Sequence, residues 1–158
     1  MRRRTPSPSV PDVRGVLLES LRTAFDKKSW HGTTLLGSVR SVDAKLAARH
    51  IGRRKTIWQQ VLHGAYWKHV VVNKLSATTR FPRRGSDWPR MPDDTSEAAW
   101  RADVELLKAT QRRLLEIVEA LPDSRLDGKT IWLILGAAAH DLYHTGQIKL
   151  LRKLSAEE

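Results

Sequence analysis

Apolar residues recur at helical spacing over four long stretches of this sequence, and that pattern constrains the fold more than any other feature. The stretches cover about residues 13–25, 57–77, 95–121 and 130–154. Apolar residues three or four positions apart lie on one face of an α-helix, and that face must be buried against another element. No run of alternating β-branched residues indicates a strand. The pattern therefore predicts an all-α protein, and a four-helix bundle is the default architecture.

Residues that favour helix starts lie just before several of the predicted helices. Thr56 is suited to cap the second long helix, and Ser41 to cap a short extra helix from Val42 to about Arg49. Asp94 followed by Glu97 resembles a capping box at the start of the third long helix. The bundle is therefore predicted to contain one short helix besides its four long ones.

The segment between the second and third long helices has the composition of a loop. Residues 79–94 hold three prolines, a glycine and several charged residues. Prolines at this density interrupt helices, and an irregular segment of this length is often functional. We therefore predict a long surface loop at residues 79–94.

Length and terminal sequence bound the domain. A chain of 158 residues suits one domain, which we place at residues 12–154. Residues 1–11, MRRRTPSPSVP, are expected to form a disordered basic tail, and they lack the apolar segment of a signal peptide. No stretch approaches the roughly 18 apolar residues that span a bilayer. We therefore expect a cytoplasmic protein without a membrane-spanning segment.

The net charge and the absence of cysteine limit the kinds of molecule and metal site that this chain is expected to have. The 28 lysines and arginines outnumber the 17 acidic residues, which gives a net charge of +11. Arg53–Lys55 and Arg80–Arg84 are local basic clusters of the kind that contact polyanions, but the other charges are scattered over predicted helix surfaces. Nucleic acid is therefore not the favoured partner. The absence of cysteine leaves only nitrogen and oxygen ligands for a metal.

The first half of the fourth long helix is apolar on every face from Ile131 to Ala139. A helix at the edge of a small monomeric bundle has a polar outer face. This half-helix is therefore either central in the bundle or part of a subunit interface, and we favour a homodimer.

Histidines at helical spacing follow the apolar half-helix. His140 and His144 lie four residues apart, so their imidazoles project from one helix face with Cβ atoms about 6 Å apart. Such a pair can grip one ion, or its members can be core histidines satisfied by hydrogen bonds. His63, in the middle of the second long helix, is expected to face the same interior. Three neutral imidazoles leave coordination positions open for water or substrate.

Several motifs together resemble the DinB-like superfamily. They are HGAYW at 63–67, DWP at 87–89, Trp100 and HDLYHTGQI at 140–148. The resemblance spans roughly residues 12–154, and its C-terminal motif is the most specific part. It implies an up-down-down-up four-helix bundle, commonly dimeric, with a divalent metal held by a histidine triad. Carried onto this chain, the triad is His63, His140 and His144.

The resemblance also implies a function. Some DinB-like proteins are thiol-dependent transferases or isomerases that use a low-molecular-weight thiol such as bacillithiol or mycothiol. A metal with open positions can activate such a thiol, lower the pKa of water or polarise a carbonyl group. Three imidazoles accept Zn, Ni, Fe, Mn or Co, so the sequence does not select the metal.

Other functions stay open as alternatives. A metal-dependent hydrolase of small molecules is less favoured than a transferase, because no glutamate adjoins His140 or His144 as in the His-Glu zinc-protease motif. A metal-stabilised binding module and a DNA-binding protein are the non-enzymatic alternatives.

Three further polar residues are candidates for catalysis. Gln147, one turn after His144, could bind a histidine or metal-bound water. Asp141 could support an imidazole N–H through another helix. His31, in the connection after the first helix, could lie at the open mouth of the site and act on substrate or protons. Trp67 is expected in the core.

Overall fold

The computed structural model describes residues 12–157, and their fold is helical throughout. The helices are α1 Val13–Phe25, α2 Leu35–Val39, α3 Ala44–Ala48, α4 Ile57–Leu75, α5 Glu97–Ala120 and α6 Gly128–Glu157. A short 3-10 helix, Asp123–Arg125, joins α5 to α6, and the described residues contain no β-strand. The all-α prediction is confirmed. The predicted basic tail, residues 1–11, lies outside the described residues.

Polar side chains at the helix starts accept hydrogen bonds from amides of the first turn. Thr56 accepts from the Gln59 amide, and the Gln59 side chain accepts in return from the Thr56 amide. This reciprocal pair is a capping box, and it satisfies two amides that have no partner within the helix. Asp12 caps α1 in the simpler one-way form. The predicted starts of these two helices are confirmed.

Two other predicted caps are wrong by two residues. Ser96, and not Asp94, caps α5, while Asp94 accepts hydrogen bonds from the Ser96 amide and hydroxyl. Asp43, and not Ser41, caps α3, and Ser41 has a φ of 62° in the left-handed region. Each polar pair offers two residues of similar cap preference, and the backbone path into the helix decides between them. The five-residue α2 was not predicted, because so short a helix shows no clear periodicity.

The long helices α1, α4, α5 and α6 form a bundle with up-down-down-up topology. Arg14, at the start of α1, donates to the carbonyl of Val118 near the end of α5, so these two helices are antiparallel. Trp58, at the start of α4, donates to Asp103 in the first half of α5, so α4 and α5 are parallel. Later residues of α6 contact earlier residues of α4, so these helices are again antiparallel. The topology is that of a DinB-like bundle.

A buried polar layer divides the core into two apolar clusters. Lys68 of α4 donates to Gln111 of α5 at 2.7 Å and to Asp141 of α6 at 2.5 Å. In all three helices the polar residue lies between residues of the two clusters. The side chains of Lys68 and Asp141 are 1% and 0% exposed, so the ion pair is shielded from water. Three of the four long helices are thus joined by charge-assisted hydrogen bonds at the middle of the bundle.

The loop between α4 and α5, residues 76–96, is held against the bundle by a buried carboxylate. Asp103 is fully buried and accepts from Arg83 of the loop at 2.8 Å and from Trp58 of α4 at 2.7 Å. Phe81 of the loop is buried in the core beside these residues. The predicted long loop is confirmed, and its packing places Asp87 and Trp88 over the bundle interior.

Helix α6 has an apolar outer face. The exposed residues between Ile131 and Ile148 carry no charge and are Trp132, Leu135, Gly136, Ala139, Leu142, Tyr143 and Gly146. A Cβ atom added at Gly136 or Gly146 would meet nothing within 4 Å. The interpretation of this half-helix as central is therefore wrong for the described chain, and the subunit interface stays a prediction. No helix among residues 12–157 is long and apolar enough to cross a membrane.

Candidate metal centre

The structure brings the three predicted histidines together between α4 and α6. The Nε2 atom of His140 lies 3.1 Å from Nε2 of His63 and 3.1 Å from Nε2 of His144. His63 and His144 are buried, and His140 is half-buried. One nitrogen from each ring therefore faces a common point.

Oxygen acceptors fix the tautomers of two of the rings. Nδ1 of His63 lies 2.6 Å from the carbonyl oxygen of Asp87, and Nδ1 of His144 lies 2.5 Å from the side-chain oxygen of Gln60. Carbonyl and amide oxygens only accept, so both Nδ1 atoms carry the proton and donate it. A neutral imidazole has one N–H, so the Nε2 atoms of His63 and His144 present lone pairs.

These tautomers leave a deficit of protons at the centre of the triad. His140 can donate from Nε2 to one of its two neighbours at most. At least one of the two 3.1 Å contacts then brings lone pairs together without a proton between them. A cation placed among the three nitrogens removes this repulsion.

The burial of the three histidines disfavours their protonation, so a proton is not expected to be that cation. Desolvation, with the charges of His63 and Lys68, lowers the pKa of His140 to about 4. Desolvation, with the charges of His140 and His63, lowers the pKa of His144 to about 3. Desolvation also lowers the pKa of His63, although the Asp87 carbonyl and carboxylate act in the opposite direction. All three rings are therefore neutral near pH 7, which is the form that binds a metal.

The spacing of the donors fits one metal ion. Two nitrogens bonded to an ion at about 2.1 Å lie about 3.0 Å apart at a right angle and about 3.4 Å apart at the tetrahedral angle. The two contacts of 3.1 Å fall between these values, and all three donor atoms lie within 4.8 Å of one another. The triad therefore has donor spacings of the size that one divalent ion requires.

The loop before α5 covers one side of the triad. The Trp88 ring stacks on the His63 ring with centroids 3.9 Å apart and an angle of 13°. Asp87 has a φ of 57°, and its carboxylate accepts from Nε1 of Trp67 at 2.8 Å. The same carboxylate lies 3.5 Å from Nδ1 of His63, behind the ring and away from the convergent nitrogens. Asp87 and Trp88 therefore fix His63 in place and shield it from water.

A cationic cavity of about 190 Å³ opens onto His144. Its lining residues are Arg54, Lys55, Gln60, Trp88, Tyr143, His144, Gln147 and Leu151. Nζ of Lys55 lies 5.2 Å from the centre of the Trp88 ring, a cation–π contact. The polar groups of this cavity are two cations and several neutral side chains.

An apolar groove of about 220 Å³ reaches His140 from another side. Its lining residues are Trp67, Lys68, Val71, Lys74, Trp132, Leu133, Gly136, Ala137 and His140. The prediction that Trp67 belongs to the core is wrong, since 39% of its surface is exposed along this groove. The triad can thus be reached from two sides, through the cationic cavity at His144 and through the apolar groove at His140.

The weaker candidates have separate positions. Gln147 is half-buried and lines the cationic cavity beside His144. Asp141 is fully buried and pairs with Lys68 and not with an imidazole, so its predicted support of a histidine is wrong. His31 is exposed in the connection between α1 and α2, and neither cavity is lined by it.

The residues that position the imidazoles were missed from the sequence. Gln60 lies three residues before His63 on the same face of α4, a spacing that could have indicated it. Asp87 acts through its backbone carbonyl, so no side-chain pattern reveals its role.

Comparison with known proteins identifies the family of this chain. A search of the curated proteins found no match, and neither did a search of the solved structures. The family model for the DinB superfamily matches residues 29–148. That range includes α2 to α5, most of α6 and all three histidines. The match covers more than half of the described bundle, and the chain therefore belongs to the DinB superfamily.

Proposed function

We propose that this chain is a divalent-metal-dependent enzyme of the thiol-dependent transferase type, with His63, His140 and His144 as the metal ligands. The observation that carries the proposal is the convergence of three Nε2 atoms within 4.8 Å, two of them turned inward by hydrogen bonds from their Nδ1 atoms. A divalent ion bound there would favour the thiolate form of a low-molecular-weight thiol.

The protein supplies orientation and a partly dry environment. Gln60 and the Asp87 carbonyl hold the tautomers that present lone pairs to the ion. Trp88 covers His63 and excludes water from that side. Because all three ligands are neutral, the positive charge of the ion stays uncompensated and attracts an anionic sulfur.

The lack of acidic side chains along the two approaches to the triad favours thiol transfer over hydrolysis. Neither the cationic cavity nor the apolar groove is lined by an aspartate or glutamate among residues 12–157. The Asp87 carboxylate lies on the Nδ1 side of His63 and already accepts a hydrogen bond from Trp67. A carboxylate base that removes a proton from metal-bound water assists hydrolysis, whereas a thiol ionises more readily without one.

Metal analysis tests the first half of the proposal. Wild-type protein without a histidine tag is expected to retain about one divalent ion per chain, which also identifies the metal. The His140→Ala variant is expected to retain far less, with an unchanged circular dichroism spectrum. Equal metal contents of wild type and variant would show that the triad is not the binding site.

A thiol screen tests the second half. Metal-loaded protein is mixed with small electrophiles and with thiols of different charge and size, and loss of free thiol is followed by a colorimetric assay. Turnover that requires both metal and thiol is expected. Tight metal binding without turnover for any thiol would instead favour a metal-stabilised binding module, and turnover without thiol would favour the hydrolase.

A further inference from the structure

The cationic cavity contains two positive side chains that no carboxylate neutralises. Arg54 and Lys55 line it, and neither forms an ion pair with an acidic residue in the described part of the chain. Other exposed cations do find such partners, as Arg101 does with Glu97 and Arg113 with Glu116. Arg54 and Lys55 therefore present unpaired positive charge to whatever enters the cavity.

The position of Lys55 connects this charge to the triad. Nζ of Lys55 lies over the Trp88 ring, and the same ring stacks on the imidazole of His63. The charge of Lys55 is near enough to contribute to the lowered pKa of His63. His144 itself forms part of the cavity wall. A molecule that contacts Lys55 in this cavity can thus also contact His144, one of the three histidines.

The rest of the lining selects for a small polar anion. Gln60, Tyr143 and Gln147 add neutral groups that can hydrogen-bond, and no acidic side chain would repel a negative ligand. A guanidinium and an ammonium group together match the oxygens of a carboxylate or phosphate. A volume of about 190 Å³ accepts such a group on a small molecule and is too confined for a duplex nucleic acid.

We propose that Arg54 and Lys55 form an anion subsite that binds the carboxylate or phosphate group of a small-molecule substrate or cosubstrate at the mouth of the triad. This proposal rests on the proposed function, which supplies the reaction. It adds the chemical class of the ligand, which is a thiol or an electrophile with at least one anionic group. Neither residue touches the triad, so both position the ligand and do not take part in the reaction.

The test compares thiols that differ in charge. Cobalt-loaded protein is titrated with mercaptosuccinate, which carries two carboxylates, and with the neutral 2-mercaptoethanol, and thiolate binding is followed by the cobalt absorption spectrum. Wild type is expected to bind mercaptosuccinate roughly tenfold more tightly, the scale of charge-assisted hydrogen bonds at a partly exposed site. In the Arg54→Gln/Lys55→Gln variant that preference is expected to fall to about twofold.

A matched variant controls for overall charge. Arg53→Gln/Arg112→Gln also removes two exposed cations, neither of which lines the cavity, and it is expected to keep the wild-type preference. Because mercaptosuccinate can also bind cobalt through a carboxylate, an equal preference in wild type and the Arg54→Gln/Lys55→Gln variant would overturn the subsite. Succinate and inorganic phosphate, added as competitors, show which anion displaces the bound thiol at the lower concentration.

Failure of the thiol chemistry is distinguishable from failure of the subsite. If cobalt binds but no thiol changes its spectrum, the proposed transferase activity is wrong. Calorimetric titration of the cobalt-loaded protein with succinate and with phosphate then decides the subsite alone. Weaker binding in the Arg54→Gln/Lys55→Gln variant than in the Arg53→Gln/Arg112→Gln variant supports it, and equal binding in both overturns it.

Discussion

Gln60 and Asp87 determine which nitrogen of each imidazole faces the centre of the triad. Gln60 uses its side-chain oxygen and Asp87 its backbone carbonyl, so a side-chain substitution removes the first contact and leaves the second. Outer contacts of this kind fix the tautomer and orientation of a ligating histidine and tune its basicity. A substitution of Gln60 can therefore test the positioning of an imidazole without removing any of the three histidines.

The Gln60→Leu variant is expected to bind zinc about 10- to 100-fold more weakly than wild type, because His144 loses the acceptor of its Nδ1 proton. Competition with a chromogenic chelator measures the affinity. Gln60→Glu keeps an oxygen acceptor at this position and is expected to bind within several-fold of wild type. Zinc affinity of Gln60→Leu equal to that of wild type would refute this role.

The stability of metal-free protein is expected to fall as the pH is lowered from about 6.5 towards 4. The pKa of His140 is lowered to about 4 and that of His144 to about 3, whereas both titrate near 6.5 in the unfolded chain. Over this interval the unfolded chain binds protons that the folded chain does not, which favours unfolding. His144 alone is expected to contribute about 1–2 kcal/mol between pH 6.5 and 5.

Urea unfolding of chelator-treated protein at several pH values checks this dependence. The His144→Gln variant lacks one of the titrating groups, so its free energy of unfolding is expected to vary less steeply over the same interval. Wild type and variant with the same slope would show that His144 is protonated as easily in the folded as in the unfolded chain.

The three histidines of the triad were predictable from the sequence, whereas most of their surroundings were not. His140 and His144 share a helix, and their spacing alone places them on one face. His63 was predicted to face the interior from its position in the second helix, and the family resemblance then grouped it with the other two. The Trp88 stack and the Lys55 contact depend on the path of an irregular loop, which no periodic pattern encodes.

At the scale of the helices, the Lys68–Asp141 pair fixes α4 against α6. Its atoms are buried, so each charge depends on the other for compensation. One Asp141 oxygen, Oδ1, has no hydrogen-bond partner among the described residues, while Oδ2 contacts Lys68. Burial raises the pKa of Asp141, and the neighbouring Lys68 charge opposes that effect. Loss of either partner leaves a polar group buried without compensation.

The Lys68→Met variant is therefore expected to lower the free energy of unfolding by about 3–5 kcal/mol. Chemical denaturation measures the change. In Lys68→Met/Asp141→Leu both charges are replaced by apolar groups of similar volume, and most of the lost stability is expected to return. A double variant no more stable than Lys68→Met would show that the pair is not the source of the loss.

Long helices and short helices differ in how well the sequence predicts them. All four long helices begin and end within three residues of their predicted positions, because many apolar positions agree and, in α4, the cap at Thr56 agrees with them. The five-residue α2 and α3 are held by packing against the bundle, as the buried Leu35 and Ala47 show. The short helix predicted from Val42 to about Arg49 is found as α3, whereas α2 has too few local sequence signals to define it.

At the scale of the whole molecule, the outer face of α6 is suited to a second copy of this chain. Trp132, Leu135, Ala139, Leu142 and Gly146 are exposed and follow an alternating spacing of three and four residues. That is the heptad spacing of helices that pack side by side, and the small residues permit close approach. Two copies can pair through this face without bringing like charges together. We propose a homodimer formed through α6.

Wild-type protein is expected to elute as a dimer in size-exclusion chromatography with light scattering, and Leu142→Glu as a monomer. The glutamate would place a charge of each copy in an apolar contact, which is costly without a partner. Leu150→Glu, at an exposed position beyond this uncharged segment, serves as a milder control. A monomeric wild type at all concentrations would refute the interface.

The triad takes its donors from two helices that are distant in sequence. His63 of α4 and His140 of α6 are 77 residues apart, yet their Nε2 atoms are 3.1 Å apart. An ion bound by both would act as a reversible cross-link in a chain that has no cysteine and so no disulfide. Such a link stabilises the folded state in proportion to the logarithm of the free metal concentration. The lifetime of this protein in the cell would then follow the supply of the metal that it binds.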